Sequence, residues 1–283
     1  MAIKYGINTF TWVSPFRTKD LSLLDKARAM GFDLVEIPIE GMSDLDYEEA
    51  ARAFKRAGLL CSTCAAMGPE RDPTHEDEAK QRGGVEYLKH MVDATAKMGG
   101  QICGGPIYAS VGRTWQATEA ERKRDLERCV RNLKEVAKYA ESKGVVFAIE
   151  PLNRFETSFI NLASQAVELV EMIDSPAMRI MLDTFHMNIE EKQLGKAIEI
   201  AAPYLIHVHA NENDRGTPGT GHVPWQDVAT ALKKINYSGA LVIESFTTTV
   251  KEIARAAAIW RPPAPSQDEL ALEGMKFLKK LMA

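Results

Sequence analysis

The chain is organised around the segment Val145-Val146-Phe147-Ala148-Ile149-Glu150-Pro151-Leu152-Asn153-Arg154. An apolar run ends there in a carboxylate, which is followed by a proline and polar residues. Strands that are covered on both faces of a parallel sheet have such near-continuous apolar sequences. A charged residue at the carboxyl end of such a strand is typical of a barrel active site. Glu150 is therefore a candidate site residue, and a solvated glutamate after a strand is the alternative when this segment is considered alone.

Three later apolar segments also end in a residue with a charged or metal-binding side chain, namely Asp183, His209 and Glu244. In a parallel barrel, the carboxyl ends of the strands converge on one opening. Three carboxylates and an imidazole that meet there repel one another unless a cation lies between them. Oxygen ligands with one nitrogen suit Mn²⁺, Mg²⁺ or Co²⁺ better than a structural zinc ion. The predicted metal ligands are Glu150, Asp183, His209 and Glu244.

Strand-like and helix-like segments alternate along the chain. The predicted strands are Ile3–Thr9, Phe32–Pro38, Leu59–Ala65, Gln101–Gly104 and the four segments that end at Glu150, Asp183, His209 and Glu244. The predicted helices are Leu21–Met30, Asp46–Ala57, a long helix between the loop Gly68–Glu78 and Gly99, Gln116–Lys143, Ser164–Ile173, Leu194–Ala201, Trp225–Ile235, Val250–Ile259 and Gln267–Leu281. We predict an α/β protein: a (β/α)8 TIM barrel that forms a single domain over residues 1–283, with an extra C-terminal helix.

Composition limits the classes of function. The chain has 283 residues, of which 45% are hydrophobic, and a net charge of −4 with acidic and basic residues well mixed. No basic block indicates a nucleic-acid partner. No apolar run has the length of a membrane span, and the first residues lack the layout of a signal peptide, so we expect a cytoplasmic protein. Cys61 and Cys64 lie in a predicted strand, where side chains three residues apart point to opposite faces, which disfavours a zinc or redox site.

Polar and aromatic residues near the strand ends are candidates for substrate binding. Glu156 and His186 each either orient a hydroxyl group or are ordinary loop residues. Arg215 lies in the glycine-rich loop after the seventh strand, where barrels often bind phosphate, and its guanidinium offers a fixed fork of donors; a mobile surface loop is the alternative. Trp12 and Trp115 follow the first and fourth strands, where an aromatic side chain can cover the apolar edge of a sugar. Packing in the core or at an interface is the alternative for both.

The motifs at the strand ends resemble those of the ketose 3-epimerases, which belong to the xylose isomerase-like TIM barrel superfamily and include D-tagatose, D-psicose (allulose) and L-ribulose 3-epimerases. The resemblance rests on Ile149–Asn153, Leu182–Asn188, His207–His209 with Asn213–Arg215, Pro218–Gly221 with Pro224–Trp225, and Val242–Ser245. It covers nearly the whole chain. The order and combination of these motifs are more specific than any one of them.

The resemblance implies a role for each candidate residue. A metal ion, Mn²⁺ before Co²⁺ or Mg²⁺, is held by the four predicted ligands. Glu150 and Glu244 also form the acid/base pair. Substrate contacts come from Glu156, His186 and Arg215. The resemblance further implies a homodimer or a homotetramer.

The implied activity is inversion of C3 of a free ketose such as D-tagatose, D-psicose, D-fructose or L-ribulose. Two carboxylates on opposite faces of the sugar remove and return a proton through a metal-stabilised cis-enediolate. The alternative is an aldose–ketose isomerase, of the hydroxypyruvate or sugar-phosphate type, on the same metal site. A non-catalytic sugar-binding protein is less favoured, because binding alone does not need two carboxylates beside one ion. The preferred ketose, and whether it is phosphorylated, stay open at this point.

Overall fold

Eight parallel strands form a closed barrel in which β1 to β8 follow one another in sequence order. The computed structural model describes residues 3–42 and 45–283. Over these ranges the strands are β1 (Lys4–Asn8), β2 (Leu34–Pro38), β3 (Leu60–Cys64), β4 (Ile102–Gly105), β5 (Val146–Ile149), β6 (Met178–Asp183), β7 (Leu205–His209) and β8 (Ala240–Ile243). Pairing of β8 with β1 closes the barrel. The predicted α/β class and (β/α)8 barrel are thereby confirmed.

Helices cover the outside of the barrel. In the described part of the chain they are α1 (Ser22–Met30), α2 (Tyr47–Ala57), α3 (Glu78–Lys97), α4 (Glu119–Lys143), α5 (Ala163–Ile173), α6 (Thr184–Glu190), α7 (Leu194–Ala201), α8 (Trp225–Lys234), α9 (Lys251–Ala256) and α10 (Gln267–Met282). Helix α10 is the extra C-terminal helix that the sequence predicts, and it packs against α8, β1 and β8. Among these helices, none is both long and apolar enough to cross a membrane.

Capping residues set the ends of the helices. At the start of α4, the hydroxyl of Thr118 accepts a hydrogen bond from the N–H of Glu121, and the Glu121 carboxylate accepts one from the N–H of Thr118. This reciprocal capping box fixes the first turn of the helix. Gly144 ends α4 with φ +69°, in the left-handed region that glycine enters at low cost. The cap explains why α4 begins at Glu119 rather than at the predicted Gln116.

The prediction missed helix α6, which follows β6 without a connecting loop. The Asp183 carboxylate caps this helix by accepting a hydrogen bond of 2.7 Å from the N–H of Phe185. A helix this short carries too few residues for helical periodicity to be recognised. Because α6 turns back at the end of β6, its residue His186 faces the opening of the barrel.

The interior of the barrel contains polar side chains among apolar ones. Asn8 on β1 is in register with Glu36 on β2, and Glu36 is in register with Ser62 on β3. All three residues are fully buried. Glu36 accepts hydrogen bonds of 3.0 Å from Asn8 and from Ser62. We call Asn8, Glu36 and Ser62 the polar layer. Barrel interiors are usually filled by branched apolar side chains, so core packing does not explain the polar layer.

Candidate active site

A cavity of about 410 Å³ opens at the carboxyl ends of the strands. We call it the mouth cavity. Its size lies within the range of small-molecule sites. Its lining includes six of the predicted site residues, which are Glu150, Glu156, His186, His209, Arg215 and Glu244. Asp183 is a further predicted residue and is buried beside them.

The predicted metal ligands meet at one small volume. Nδ1 of His209 lies 3.7 Å from Oε2 of Glu244 and 4.0 Å from Oδ2 of Asp183. On the other side of Asp183, Nε2 of His186 lies 3.8 Å from Oε1 of Glu150 and 3.9 Å from Oδ2 of Asp183. These separations exceed hydrogen-bond distances and suit groups that share one ion. Asp183 therefore links Glu150 to the other two ligands.

A cation fits this cluster on two grounds. Nδ1 of His209 is buried and has no hydrogen-bond partner within the described ranges. Burial raises the pKa of Glu150 well above its usual value and that of Asp183 to about 7, and the neighbouring carboxylates add to both shifts. A divalent ion would accept the lone pair of the His209 imidazole and would offset the negative charge of the buried carboxylates.

A glycine on β4 positions Glu150. The N–H of Glu150 donates a hydrogen bond of 3.1 Å to the carbonyl of Gly105. Gly105 has φ +122°, and a Cβ at this position would lie 2.1 Å from the carbonyl oxygen of Ala65. Only glycine tolerates this conformation and this close approach of two backbones. The placement of Glu150 therefore depends on Gly105.

His186 is held as a hydrogen-bond donor toward the cavity. Its Nδ1 accepts a bond of 3.1 Å from the backbone N–H of Asn153 and lies 2.8 Å from Nδ2 of the same residue. The proton of the neutral imidazole must then lie on Nε2. Burial, together with the charge of Arg215, lowers the pKa of His186 well below its usual value, so the ring stays neutral. The Nε2–H group can donate to a substrate oxygen near Glu150.

The buried carboxylate of Glu212 organises the glycine-rich loop after β7. It accepts hydrogen bonds from the N–H groups of Gly219 and Val223 and from the indole of Trp225, at 2.8 to 2.9 Å. Burial raises the pKa of Glu212, but these donors outweigh burial and hold the pKa below its usual range. Hydrogen bonds to Glu212 thus hold the loop at several points, and Arg215 in this loop lines the mouth cavity.

Polar groups beside Arg215 form one edge of the mouth cavity. Nη2 of Arg215 lies 3.6 Å from Oε1 of Glu156 and 3.5 Å from Nε2 of His186. The Glu156 carboxylate also accepts a hydrogen bond of 3.0 Å from Asn153. The hydroxyl of Ser245 fixes the backbone of Arg215 through a bond of 2.9 Å to its carbonyl. This edge offers both donors and acceptors, which suits the hydroxyl groups of a sugar.

Sequence reasoning missed Glu36, which lies next to a predicted ligand. Oε1 of Glu36 is 2.6 Å from Nε2 of His209, and Oε2 is 2.9 Å from Nε2 of His207. Burial raises the pKa of Glu36, but the two imidazoles outweigh burial and hold the pKa below its usual range. The available signal was a carboxylate inside the apolar segment Leu34–Pro38. A strand buried on both faces does not tolerate such a residue without a partner.

Asn211 is a second residue that the sequence did not indicate. Its Nδ2 donates to Oδ2 of Asp183, and its Oδ1 accepts from the N–H of Glu244, both at 2.8 Å. The amide therefore joins two of the predicted ligands. A single asparagine in a polar loop carries no periodic signal from which this contact can be read.

The structure places Trp115, a predicted substrate contact, outside the lining of the mouth cavity. Trp115 is 59% exposed and lines a separate cavity near Arg113 and Asp125. The loop after β4 directs it there, where the Arg113 guanidinium lies 5.1 Å from the ring centre. The aromatic residues of the mouth cavity include Phe10 and Phe246 instead.

Comparison with known proteins adds to this geometry. Residues 24–281 match the family model described as xylose isomerase-like TIM barrel. The chain is 34% identical to the D-psicose 3-epimerase of Enterocloster bolteae over 278 residues, which cover 96% of this chain and 91% of that protein. It is 31% identical to the ketose 3-epimerase of Arthrobacter globiformis over 280 residues, which cover 98% and 96%. The crystal structure of D-psicose 3-epimerase with D-tagatose from Clostridium cellulolyticum H10 matches with a TM-score of 0.91, at 28% identity and 99% coverage of both chains.

Proposed function

The chain belongs to the xylose isomerase-like TIM barrel family and is a carbohydrate epimerase, and we propose that it inverts C3 of a free ketose with a divalent metal ion. D-Tagatose, D-psicose, D-fructose and L-ribulose are the candidate substrates. The observation that carries the proposal is a pair of possible ligand groups at the barrel opening that share Asp183: one adds Glu150 and His186, and the other adds His209 and Glu244. An aldose–ketose isomerase is not favoured, because the similar proteins are named epimerases.

The ion would be held by Glu150, Asp183, His209 and Glu244. When bound, it would polarise the oxygens of the ketose and stabilise the negative charge that develops when C3 loses a proton. We propose Mn²⁺, with Co²⁺ or Mg²⁺ as alternatives, because oxygen-rich sites with one imidazole suit these ions.

Glu150 and Glu244 would carry the proton. One carboxylate takes the proton from C3; the electron pair of the C–H bond forms the C2–C3 double bond, and the carbonyl pair moves onto O2. The other carboxylate returns a proton to the opposite face of C3 as these electrons move back. The two residues follow β5 and β8, with β6 and β7 between them on one side of the closed barrel. This separation supports their approach to the sugar from different sides.

The edge formed by Glu156, His186 and Arg215 would orient the hydroxyl groups of the sugar. The Nε2–H of His186 would donate to an oxygen near C2 or C3, since it faces Glu150 and Asp183. The rings of Phe10 and Phe246, 5.3 Å apart, would contact the apolar edge of the substrate.

Solvent deuterium tests the proposal. We would assay a panel of free and phosphorylated ketoses with Mn²⁺ in heavy water and locate the label by NMR. An epimerase of this kind labels C3 of a free ketose. Label at C1 or C2 would show an isomerase instead, and turnover of phosphorylated ketoses alone would contradict the proposed substrate.

Two variants test the proton carriers. Glu150→Gln and Glu244→Gln should each abolish turnover, because an amide cannot accept the proton. Exposed Glu273 on α10 provides the matched control, and Glu273→Gln should keep the parent rate. Full activity of either site variant, or of the parent after rigorous metal removal, would contradict the mechanism.

The remaining expectations concern the whole protein. We propose that residues 1–283 form one domain, that the chain assembles as a homodimer or homotetramer, and that it acts in the cytoplasm. Light scattering coupled to gel filtration measures the number of subunits, and a mass equal to one chain would contradict the proposed assembly.

A further inference from the structure

We propose that Glu36 is a positioning residue: it holds the His209 imidazole with its proton on Nε2, so that the Nδ1 lone pair is directed at the divalent ion. The inference rests on the proposed function, because it assumes that His209 binds this ion. Glu36 has no part in the proton transfers described above. A fully buried carboxylate on the inner face of the barrel is nevertheless costly unless partners satisfy it.

Both carboxylate oxygens of Glu36 are fixed by neighbours on other strands. Oε1 accepts from Nδ2 of Asn8 at 3.0 Å and lies 2.6 Å from Nε2 of His209. Oε2 accepts from the hydroxyl of Ser62 at 3.0 Å and lies 2.9 Å from Nε2 of His207. These contacts come from β1, β3 and β7, so the carboxylate has a single orientation.

This orientation determines which nitrogen of His209 can bind a metal. A carboxylate only accepts hydrogen bonds, so the nitrogen that it contacts must carry the proton. The other nitrogen, Nδ1, then carries the lone pair. It faces Oε2 of Glu244 at 3.7 Å and Oδ2 of Asp183 at 4.0 Å, and it finds no partner in the described parts of the chain. A carboxylate behind a histidine ligand also makes that ligand more basic.

Glu36, His207 and His209 are close enough to suggest a second metal site, but a protonated Nε2 of His209 cannot bind an ion there. The separation of 2.6 Å between Oε1 of Glu36 and Nε2 of His209 is that of a direct hydrogen bond. The proton of this bond occupies the position of the lone pair that Nε2 would need to bind an ion. The cluster therefore supports the proposed metal site above it.

Titration with Mn²⁺ tests the proposal. Chelator-treated parent, Glu36→Gln and Ser62→Ala proteins would be titrated with Mn²⁺, and the free ion measured by electron paramagnetic resonance. An amide loses the charge and offers only one accepting oxygen, so we expect Glu36→Gln to bind Mn²⁺ about 10- to 100-fold more weakly. Ser62→Ala is the matched control, because it removes a donor to the other oxygen only, and it should bind within about threefold of the parent.

The outcomes separate this inference from the proposed function. A parent protein that does not bind Mn²⁺ would overturn both. A parent that binds, with Glu36→Gln of equal affinity, would overturn only the role of Glu36. If Glu36→Gln does not fold, nitrogen-15 NMR of the unmodified protein saturated with Mg²⁺ decides: a His209 proton on Nε2 supports the proposal, and one on Nδ1 overturns it. The shift of the Nε2 proton also reports its acceptor: a strong low-field shift indicates a hydrogen bond to the Glu36 carboxylate, which a merely structural role would not produce.

Discussion

The guanidinium of Arg215 stacks on the ring of Phe185, with 3.9 Å between its central carbon and the ring centre. The ring of Phe246 also contacts it, at 4.9 Å. A planar guanidinium can stack in this way while its edge donates hydrogen bonds, and a lysine ammonium cannot do both. The backbone of Arg215 has φ +57°, which the hydrogen bond from Ser245 helps to maintain.

We therefore expect Arg215→Lys to lower kcat/KM for the best ketose about tenfold, which corresponds to the loss of about 1–2 kcal/mol of stacking and directed hydrogen bonding. Steady-state kinetics measure the effect. Arg124→Lys, an exposed substitution on α4, is the control and should match the parent. Equal kcat/KM values for the parent and both variants would show that the planar guanidinium of Arg215 does not contribute to turnover.

Mn²⁺ should raise the thermal stability of the protein, because an ion that binds only the folded state stabilises it by mass action. At an ion concentration of 100 times Kd the gain is about 2.7 kcal/mol. Differential scanning calorimetry with Mn²⁺ or with chelator measures the shift in Tm. Asp183→Asn should lose most of this shift. A parent Tm that is the same with Mn²⁺ and with chelator would contradict the metal site.

Glu212→Gln should lower the free energy of unfolding at pH 7 by about 2 kcal/mol, because a neutral amide cannot accept bonds from all the N–H groups that bind the carboxylate. The folded-state pKa of Glu212 is lowered, so its contribution is present above the unfolded-state pKa and is lost as the pH falls through the folded-state pKa. Urea unfolding at pH 7 and at acid pH measures both effects. The difference between parent and variant should shrink in acid; a constant difference would argue against the carboxylate as the cause.

Gly105→Ala should destabilise the protein by about 3 kcal/mol or more, since it combines a left-handed φ with a severe contact against the Ala65 carbonyl. Gly68→Ala is the matched control, because a Cβ at Gly68 meets nothing within 4 Å. That control should change stability by less than about 1 kcal/mol. Urea denaturation measures the free energy of unfolding of both variants. Similar losses of stability would show that close packing at β4 does not explain the effect of Gly105→Ala.

Trp115→Ala should leave KM for a ketose within about twofold of the parent value, because Trp115 lies outside the mouth cavity. Phe246→Ala should raise KM by a larger factor, since its ring lines the cavity and contacts Arg215. Kinetics on purified, folded variants with equal quaternary structure provide the comparison. A larger effect at Trp115 than at Phe246 would support the prediction from the sequence that Trp115 contacts the substrate.

Much of the fold was predictable, because the length and the period of the hydrophobic pattern distinguish apolar strands from amphipathic helices. The strand ends were predictable for the same reason: Glu150, Asp183, His209 and Glu244 each terminate an apolar run, and barrel closure brings such ends together. What these residues do chemically is still a prediction, which the experiments above address.

The remaining features depend on three-dimensional contacts that leave little trace in the sequence. Helix α6 is short and capped by a residue of the preceding strand, so no period reveals it. Trp115 follows β4, where an aromatic side chain can cover the apolar edge of a sugar, but the loop carries it to a different cavity. Glu36 was visible as a charge within an apolar strand, yet only the register of β1, β2 and β3 supplies the neighbours that explain it.

The polar layer around Glu36 limits how this enzyme can be made more robust. Replacing Asn8 or Glu36 by branched aliphatic residues is the obvious route to a tighter barrel centre, and it would remove the support beneath a proposed metal ligand. Engineering for heat tolerance is therefore better directed to the outer helices and their caps, where gains in folding free energy carry no such trade-off.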